Sequence, residues 1–371
     1  MKKTTIGVIF GGVSTEHEVS LVSSSFILEN IDKNKYEIKM IGISKNGEWF
    51  LYSGNIENIK NNNWMNKEYI NPITISLIPN KKGFFIINND NTIDFQKIDV
   101  VFPVLHGRNG EDGSIQALFK IANIPFVGCD YVSSALCMDK EFSHIILNNR
   151  NIKTTSFIAI NKYEFNHSNF DTFENECKEK LEYPIFVKPA NTGSSVGITK
   201  VKNKEELFKA IEKAFEIDKK IIIEKCVYGK EVECAVIGNN EPFASIVGEI
   251  SPGNEFYDYD AKYNDDNSLL YIPARISEEA SNKIRETAKK AYKILGCSGL
   301  TRMDFFLTDD QEIILNEPNT IPGFTNISMY PKLLMKSGFE PKKIINKLID
   351  LAFERYEQNL KYDEIINENK K

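Results

Sequence analysis

The order of apolar and polar residues at the start of the chain predicts an α/β unit. Residues 4–10 form an apolar run that ends at two glycines, as a buried strand does. Thr15 stands three residues before Glu18, a capping-box spacing that predicts a helix continuing to about Leu28. The polar, Asn-rich region at 46–96 is expected to be an inserted hairpin region. Further strand patterns lie at 36–43, 48–52, 83–87 and 98–105. Together these elements predict a parallel sheet.

The rest of the chain alternates between helical and strand patterns. Asn203 followed by Glu206 predicts a capped helix whose apolar residues, up to Phe215, repeat at helical spacing. A second helix is expected to begin after Ser277 and to end at Gly296. Other helices are predicted at 138–149 and 342–355, and strands at 155–160, 184–189, 220–224, 231–237, 243–250, 300–307 and 312–316. The last two strands flank a polar turn and predict a hairpin.

Length, charge and cysteine usage narrow the class of protein. The chain has 371 residues, more than one small core accommodates, which predicts two or three compact units. Its net charge of -6 gives no electrostatic reason to expect nucleic acid or an anionic membrane as a partner. The six cysteines show no metal-ligand spacing and predict reduced thiols of a cytoplasmic protein. No apolar run approaches the roughly 20 residues that cross a bilayer, and the N-terminal run is too short for a signal peptide.

The predicted hairpin carries a cluster of oxygen ligands. Side chains two apart on a strand share a face, so Arg302 and Asp304 point the same way, as do Glu317 and Asn319. Asp304 and Glu317 are similarly far from the turn, and strand pairing would place them side by side. Two carboxylates with an amide oxygen suit Mg²⁺ or Mn²⁺, which would also offset their mutual repulsion. The alternative is a solvated hairpin face, against which the apolar residues of both strands argue.

A segment rich in glycine and serine is a candidate for phosphate binding. Residues 193–197 (GSSVG) follow Lys188 closely and match neither the P-loop nor the dinucleotide-binding pattern. The missing dinucleotide pattern disfavours a Rossmann-type oxidoreductase. Backbone amides and hydroxyls of the segment could cover phosphates, with Lys188 adding positive charge. A plain turn is the alternative.

Several single residues are candidates with open alternatives. Glu16 lies where the first helix begins, and it either holds a substrate ammonium or is stabilised by free helix N–H groups. His106 follows a buried strand, where α/β proteins bind ligands, but a structural histidine is equally compatible. Lys140 and Lys262 carry little information alone because single lysines are usually solvated. The aromatic stretch 255–263 around Lys262 has the composition of a lid loop.

Eight segments of the chain form one recognisable set. They are GGVSTEHEVSL (11–21), LHGRNGEDG (105–113), SALCMDK (134–140), FVKPANTGSSVG (186–197), IEKCVYGKEVE (223–233), YDYDAKY (257–263), TRMDFF (301–306) and NEPNTIPGFTNIS (316–328). Any one of them is weak, whereas all eight in this order are highly specific. Together they resemble the D-alanine–D-alanine ligases of the ATP-grasp superfamily, over about residues 5–355 with gaps in the insertion and the tail.

The resemblance implies an α/β fold with three domains. Residues 1–128 would form an N-terminal, Rossmann-like, parallel-sheet domain that binds substrate. A two-part ATP-grasp fold, α+β in character, would follow. Residues 129–225 would form its central domain, and residues 226–371 its C-terminal domain with the metal site and the lid loop.

The resemblance also implies which residues bind ATP and metal. The phosphates would be contacted by Lys140, Lys188 and Lys262, beneath a loop around Ser195. The adenine would be read by Glu224 and by the backbone as far as Val227, and the ribose by Glu231. Two Mg²⁺ or Mn²⁺ ions would be held by Asp304, Glu317 and Asn319, with Glu317 bridging. Pro318 and Ile327 depart from the family pattern, in which an aliphatic residue and often a histidine stand at these positions.

The implied substrate residues surround the reacting carbonyl. Glu16 would hold the ammonium of the first amino acid, with Ser194 and Tyr263 hydrogen-bonded to it to close the lid. The oxyanion of the tetrahedral intermediate would be bound by Arg302 and the Gly323 N–H. The remaining substrate residues would be His106, Ser328 and Met329, with Ser328 touching the second carboxylate.

The implied reaction is the ATP- and Mg-dependent joining of two D-alanines through D-alanyl phosphate. The product would supply peptidoglycan precursor synthesis, and the enzyme would be a homodimer. Tyr263 argues against D-lactate as second substrate, because lactate-forming relatives carry histidine there. Met329 is closer to the apolar residue of D-alanine–D-alanine ligases than to the arginine of resistance-type ligases. D-Serine remains the alternative, since 105–113 also resembles the serine-adding group. Another ATP-grasp ligase would lack the Glu16, Ser194 and Tyr263 set, and an inactive nucleotide-binding module would lack Arg302 or the metal carboxylates.

Overall fold

Three β-sheets carry the strands in the part of the chain that the computed structural model describes. This part comprises residues 2–88, 90–194, 196–251 and 269–368, with side chains up to residue 362. The sheets have seven, four and five strands. None of the helices described here combines the length and the apolar character that a membrane crossing requires. The α/β fold class is therefore as predicted, with the mixture of strand directions described next.

The first sheet is only partly parallel. Its strands are β1 (Thr4–Gly11), β2 (Tyr36–Ile43), β3 (Trp49–Tyr52), β4 (Ile70–Ile75), β5 (Gly83–Ile87), β6 (Ile93–Lys97) and β7 (Val100–Pro103). They lie in the order β6-β5-β4-β3-β2-β1-β7. β1 pairs in parallel with β2 and β7, whereas β3 to β6 of the inserted region extend the sheet antiparallel. The short connections of the insertion explain this, because a parallel pair needs a long crossover.

The first helix forms, but its predicted capping box does not. α1 (His17–Asn30) is preceded by Glu16, whose side chain makes no cap hydrogen bond. Glu18 instead forms an ion pair with Lys45, with Nζ and Oε1 2.5 Å apart, and so turns away from the helix start. The Ser14 hydroxyl accepts the Glu16 N–H at 3.1 Å. The Glu16 carboxylate is thereby left to point into the region described below.

The predicted helix at 138–149 is interrupted at Asp139. Helices α2 (Ile56–Lys60) and α3 (Ser114–Ile121) precede this region. Met138 is the last residue of α4 (Tyr131–Met138), and a separate helix, α5, covers Lys140–Asn149. Asp139 has extended backbone angles, and its carboxylate accepts the Phe142 N–H at 3.2 Å as the cap of α5. Lys140 therefore becomes the first residue of a helix, and its side chain is buried.

The second sheet is small and antiparallel. Its strands are β8 (Phe157–Asn161), β9 (Ile185–Pro189), β10 (Thr199–Val201) and β11 (Lys220–Lys225), in the order β10-β9-β11-β8. It packs against α6 (Phe170–Leu181) and α7 (Lys204–Phe215) around a core of its own. The predicted cap of α7 is confirmed, since Asn203 accepts the Glu206 N–H and donates to its carboxylate, both at 3.0 Å.

The third sheet contains the predicted hairpin. Its strands are β12 (Lys230–Gly238), β13 (Phe243–Ser251), β14 (Leu269–Tyr271), β15 (Gly299–Leu307) and β16 (Ile313–Asn319), in the order β14-β13-β12-β15-β16. The helices are α8 (Glu278–Ile294), α9 (Met329–Lys336) and α10 (Pro341–Glu368). Ser277 caps α8 by accepting the Ala280 N–H at 3.2 Å, as its position predicted. One core joins residues of the first sheet, such as Phe10, to Ile237 of β12 and to Tyr330 and Ile349 of the last two helices.

Candidate active site

Two adjoining cavities collect most of the predicted site residues. One, of about 580 Å³, is lined among others by Glu16, His106, Arg302, Asn319, Gly323, Ser328 and Met329. The other, of about 500 Å³, is lined among others by Lys188, Glu224, Val227, Glu231 and Asp304. Lys140, Ser194 and Glu317 line both, so the cavities meet at these side chains. The predicted residues Ser195, Lys262 and Tyr263 lie outside the described residues.

The hairpin sets Asp304 directly opposite Glu317, as strand periodicity predicted. The register also pairs Arg302 with Asn319, so all four side chains occupy adjacent positions on β15 and β16. Arg302 donates from Nε and Nη2 to the two Asp304 oxygens, each at 2.7 Å, and Asn319 Nδ2 donates to Asp304 Oδ2 at 2.9 Å. Burial lowers the pKa of Arg302, but Asp304 and Glu233 outweigh burial and raise it well above the ordinary value. The guanidinium therefore stays charged.

Glu16 projects from the start of α1 into the first cavity. It is buried, and its Oε1 accepts a hydrogen bond from the Ser194 hydroxyl. A Cβ atom at Gly107 would lie 2.3 Å from Oε2 of Glu16, so glycine is required for this close approach. No lysine or arginine within the described ranges forms an ion pair with Glu16. A ligand cation could therefore supply the counter-charge that a buried carboxylate needs.

Lys188 and Glu224 form a buried ion pair on β9 and β11. Nζ of Lys188 contacts Oε2 of Glu224, and Nδ1 of His144 lies 3.7 Å from Oε1. Burial raises the pKa of Glu224, but the charges of Lys188 and His144 outweigh burial and hold it below the ordinary value. Conversely, burial lowers the pKa of Lys188, but Glu224 outweighs burial and raises it. Both groups are thus charged near neutral pH beside the second cavity.

Lys140 lies where the two cavities meet. Its Nζ donates to the Thr192 carbonyl at 2.8 Å and lies 3.7 Å from Oε2 of Glu317. Beneath it, Lys220 bridges Asp139 and Glu141 at 2.6 and 2.8 Å. This network ties the start of α5 to the start of β11 and directs the Lys140 ammonium toward Glu317.

The loop at residues 321–324 is anchored by side chains from the N-terminal part of the chain. Glu111 Oε2 accepts the Ile321 N–H at 3.2 Å, and Nδ1 of His106 lies 2.9 Å from the Ile321 carbonyl oxygen. The Ser23 hydroxyl accepts the Phe324 N–H at 3.2 Å. Burial and the nearby Glu16 charge raise the pKa of Glu111 to about 8. Burial also lowers the pKa of His106.

Ser328 and Met329 lie at the start of α9, beside this loop. Ser328 is the N-cap, and its hydroxyl contacts Thr325 Oγ1 at 2.8 Å rather than capping the helix. A Cβ atom at Gly323 would lie 2.9 Å from Ser328 Oγ, so the loop and the helix start are in close contact. Met329 is buried, and a Cβ atom at Gly248 would lie 2.9 Å from its sulfur. The side of the cavity formed by Met329 is therefore closely packed and apolar.

Two family descriptions match nearly the whole chain. Residues 5–129 match the family described as D-ala D-ala ligase N-terminus, and residues 146–350 match that described as D-ala D-ala ligase C-terminus. The chain belongs to the D-alanine–D-alanine ligase family. The prediction made from the eight segments is thereby confirmed, and an oxidoreductase is excluded.

Individual relatives agree with this family. A D-alanine–D-alanine ligase of Caldicellulosiruptor bescii is 47% identical over 98% of this chain and 99% of its own length. The solved VanG D-Ala:D-Ser ligase of Enterococcus faecalis is 45% identical with a TM-score of 0.86, covering 95% of this chain and 100% of that one. The D-alanine-D-alanine ligase of Coxiella burnetii is 32% identical with a TM-score of 0.87, covering 100% and 99%. Enzymes of the D-alanine–D-alanine ligase family are ATP-dependent and act on D-alanine.

Several residues that contact the predicted site residues were not predicted from the sequence. Glu111 lies inside LHGRNGEDG, one of the eight segments that resemble the family, but the resemblance implied no role for it. Glu233 follows the predicted ribose ligand by two residues, and its Oε2 lies 3.1 Å from Nε of Arg302. Ser23 and His144 had no local signal, because each lies on an ordinary helix and contacts residues distant in sequence.

The Lys188–Glu224 pair is expected to make stability pH-dependent. Because the pKa of Glu224 is depressed by folding, its stabilisation is present above the ordinary value of 4.5 and is lost as pH falls below it. Glu224→Gln should therefore be less stable than wild type at pH 7, and the gap should shrink on acidification below about pH 4.5. Urea unfolding of the ligand-free proteins across this pH range measures the gap. A gap independent of pH would contradict the assignment.

Proposed function

We propose that this chain joins two D-alanines to D-alanyl-D-alanine through D-alanyl phosphate, for peptidoglycan precursor synthesis. The observation that carries the proposal is the meeting of two cavities at Lys140, Ser194 and Glu317. One cavity carries the buried carboxylate of Glu16 and the largely buried guanidinium of Arg302, as an amino-acid site requires. The other carries a buried lysine and acidic side chains, as a nucleotide site requires. A phosphoryl group could pass between two substrates only at such a junction.

The nucleotide would occupy the second cavity. Glu224 and the backbone near Val227 would hydrogen-bond the adenine, and Glu231 would bind the ribose. Lys140 and Lys188 would contact the phosphates, because the buried Lys140 and the largely buried Lys188 both line this cavity. Ser195 and Lys262 are proposed to contact the phosphates as well, and both lie outside the described residues.

The donor set of the hairpin fits a hard divalent cation. Asp304 and Glu317 present carboxylates at paired positions of β15 and β16, and Asn319 contributes an amide that can turn its oxygen inward. We propose that these three residues would hold two Mg²⁺ or Mn²⁺ ions, with the Glu317 carboxylate at the centre of the donor set. Bound ions would neutralise charge on the transferring phosphoryl group. Such a cation would also compete with Arg302 and Asn319 for the oxygens of Asp304.

The first amino acid would lie between Glu16 and Arg302. Glu16 would pair with its ammonium, and Ser194 orients the Glu16 carboxylate through their hydrogen bond. Arg302 and the Gly323 N–H would stabilise the negative charge that develops on the attacked carbonyl oxygen. Tyr263, which lies outside the described residues, is proposed to join Glu16 and Ser194 in excluding water from the acyl phosphate.

The second amino acid would lie at the start of α9. The free N–H groups of a helix N-terminus attract a carboxylate, and Ser328 adds a hydroxyl there. Met329 would form the apolar wall for the methyl group. D-Serine is the second candidate, because VanG, a D-Ala:D-Ser ligase, is 45% identical to this chain. An apolar wall rejects an added hydroxyl only by about 10²-fold or less.

Phosphate release from Mg-ATP by the purified protein tests the proposal. We expect turnover with D-alanine alone and identification of the dipeptide by mass. Parallel reactions would combine D-alanine with D-serine or with D-lactate. A preference for the mixed D-serine product would replace the second substrate and keep the mechanism. No dipeptide or depsipeptide from any mixture would refute the proposed function.

Three further features of the enzyme are proposals. The domains would be residues 1–128, 129–225 and 226–371, and the strands of each sheet fall within one of these ranges, which supports the division. The family resemblance supports a homodimer, which the mass from light scattering would test. The six cysteines, which are all unpaired thiols, support a location in the cytoplasm.

A further inference from the structure

Three side chains, of which His106 and Ser23 are buried, hold the loop at residues 321–324 at both of its ends. At one end, Glu111 binds the Ile321 N–H and His106 contacts the Ile321 carbonyl, at 3.2 and 2.9 Å. At the other end, Ser23 binds the Phe324 N–H at 3.2 Å. Glu111 is also held within its own loop, because its Oε1 accepts the Gly107 N–H at 3.0 Å. The loop is thus anchored to α1 and to the segment after β7.

The hydrogen bonds of this network define the proton positions on His106. Ser23 Oγ accepts the Phe324 N–H and lies 3.0 Å from His106 Nε2, so the Ser23 hydroxyl can donate to Nε2. His106 then carries its proton on Nδ1 and donates it to the Ile321 carbonyl. Both ring nitrogens are engaged by the protein. His106 therefore helps to hold the loop through its hydrogen bond to Ile321.

Only one amide N–H lies between the anchored residues of the loop. Pro322 has no N–H, so Gly323 supplies it. Within the described ranges, the Gly323 N–H donates to no protein acceptor. Gly323 also lines the cavity that contains Glu16 and Arg302. Since both neighbouring peptide groups are fixed, the direction of the Gly323 N–H is fixed with them.

We propose that Glu111 and Ser23 are positioning residues that aim the Gly323 N–H at the reacting carbonyl oxygen. This inference rests on the proposed function, because it takes Gly323 as an oxyanion donor. An oxyanion donor acts by being held in place before charge develops, and misplacement by about 1 Å costs up to about 10²-fold in rate. A carboxyl group suits the position of Glu111, because each of its two oxygens accepts one backbone N–H, that of Gly107 or that of Ile321.

The variant Glu111→Gln tests the inference. Glutamine keeps one acceptor oxygen but turns an NH₂ group toward the second backbone N–H, so one anchor is lost. We expect kcat to fall about 10- to 100-fold with the KM for ATP and the Tm nearly unchanged. A phosphinate analogue of the tetrahedral intermediate should lose affinity by a similar factor, since its oxygen occupies the oxyanion position.

The matched control is Asp112→Asn in the same loop. Asp112 also accepts two backbone N–H groups, those of Asn109 and Ser114 at 2.8 and 3.0 Å, but it forms no hydrogen bond with residues 321–324. We expect this variant to keep wild-type kcat and analogue affinity. An equal loss of kcat in Asp112→Asn would show that the rate depends on the integrity of the loop at residues 105–113 and not on the direction of the Gly323 N–H. That result would contradict the inference.

Ser23→Ala provides a second, independent variant. It removes the acceptor of the Phe324 N–H and should lower kcat about tenfold, as expected for one hydrogen bond. Because Ser23 and Glu111 hold the same loop, the double variant should lose less than the product of the single losses. This variant carries the test if Glu111→Gln does not fold.

The possible failures are distinguishable. An inactive wild-type protein would refute the proposed function. An active wild type with equally active Glu111→Gln and Ser23→Ala variants would refute only the positioning role. A loss of kcat matched by an equal loss of ATP affinity would also refute it, because the network has no contact with the nucleotide cavity.

Discussion

Replacing Glu317 by glutamine is expected to abolish Mg²⁺-dependent ATP turnover, lowering kcat by about 10³-fold or more. Glu317 lines both cavities, faces Asp304 across the hairpin and lies 3.7 Å from the Lys140 ammonium. A cation shared between carboxylate oxygens and phosphate contributes several kcal/mol to phosphoryl transfer, and each ~1.4 kcal/mol is a tenfold change in rate. Glutamine keeps the size of the side chain but not its charge. ADP formation measured across a series of Mg²⁺ concentrations would show the loss.

The control for Glu317→Gln is Glu312→Gln on the same hairpin. Glu312 forms an exposed ion pair with Lys153 and lines neither cavity. Exposed pairs contribute about 0–1 kcal/mol, so activity and stability should stay close to wild type. Turnover of Glu317→Gln at the wild-type rate would contradict the metal assignment.

The variant Arg302→Lys is expected to lower kcat by about 10²–10³-fold while leaving ATP binding intact. The guanidinium binds Asp304 through two parallel hydrogen bonds and lies beside Glu233. Loss of one donor to a developing oxyanion costs about 10²–10³-fold. Lysine keeps the positive charge between the two carboxylates but cannot reproduce the fork of donors. Rapid-mixing kinetics should therefore show slower dipeptide formation at an unchanged affinity for ATP.

Comparing Arg302→Ala with Arg302→Lys separates the effect of Arg302 on catalysis from its effect on stability. Removing the largely buried guanidinium leaves the carboxylates of Asp304 and Glu233 without their counter-charge, and breaking a buried pair costs up to about 3–5 kcal/mol of stability. We expect a lower Tm for the alanine variant and a nearly normal Tm for the lysine variant. Arg285→Lys is the matched control, because within the described part of the chain Arg285 donates to the Ala244 carbonyl and lines neither cavity. Unchanged kcat in Arg302→Lys would exclude Arg302 as the oxyanion ligand.

The sequence by itself determined the local elements of this enzyme. The Asn203 and Ser277 caps were predictable because a side chain bonds an N–H only three residues away. The opposition of Asp304 and Glu317 was predictable because a hairpin turn and a two-residue period define the register. The eight segments identified the family, since its chemistry needs particular residues in a particular order.

The extent of parallel pairing in the first sheet and the cap of the first helix were predicted less well. The strands of the inserted region have the same apolar pattern in either direction, and their antiparallel pairing with the first sheet follows from short connections. The capping box at Thr15 and Glu18 failed because Glu18 binds Lys45, which lies 27 residues away. A spacing rule describes only local partners, and a distant charge can outweigh it.

Only the tertiary structure decided which distant residues share the site. Glu16 and Ser194 are 178 residues apart, Glu111 and Ile321 are 210 apart, and Ser23 and Phe324 are 301 apart. No local pattern encodes such partners, because each contact depends on how α1, the loops and the third sheet pack around their common core. Burial, which sets the charges and pKa values of these groups, arises from the same packing. The sequence thus specifies the reacting groups, and the assembled core determines their distances.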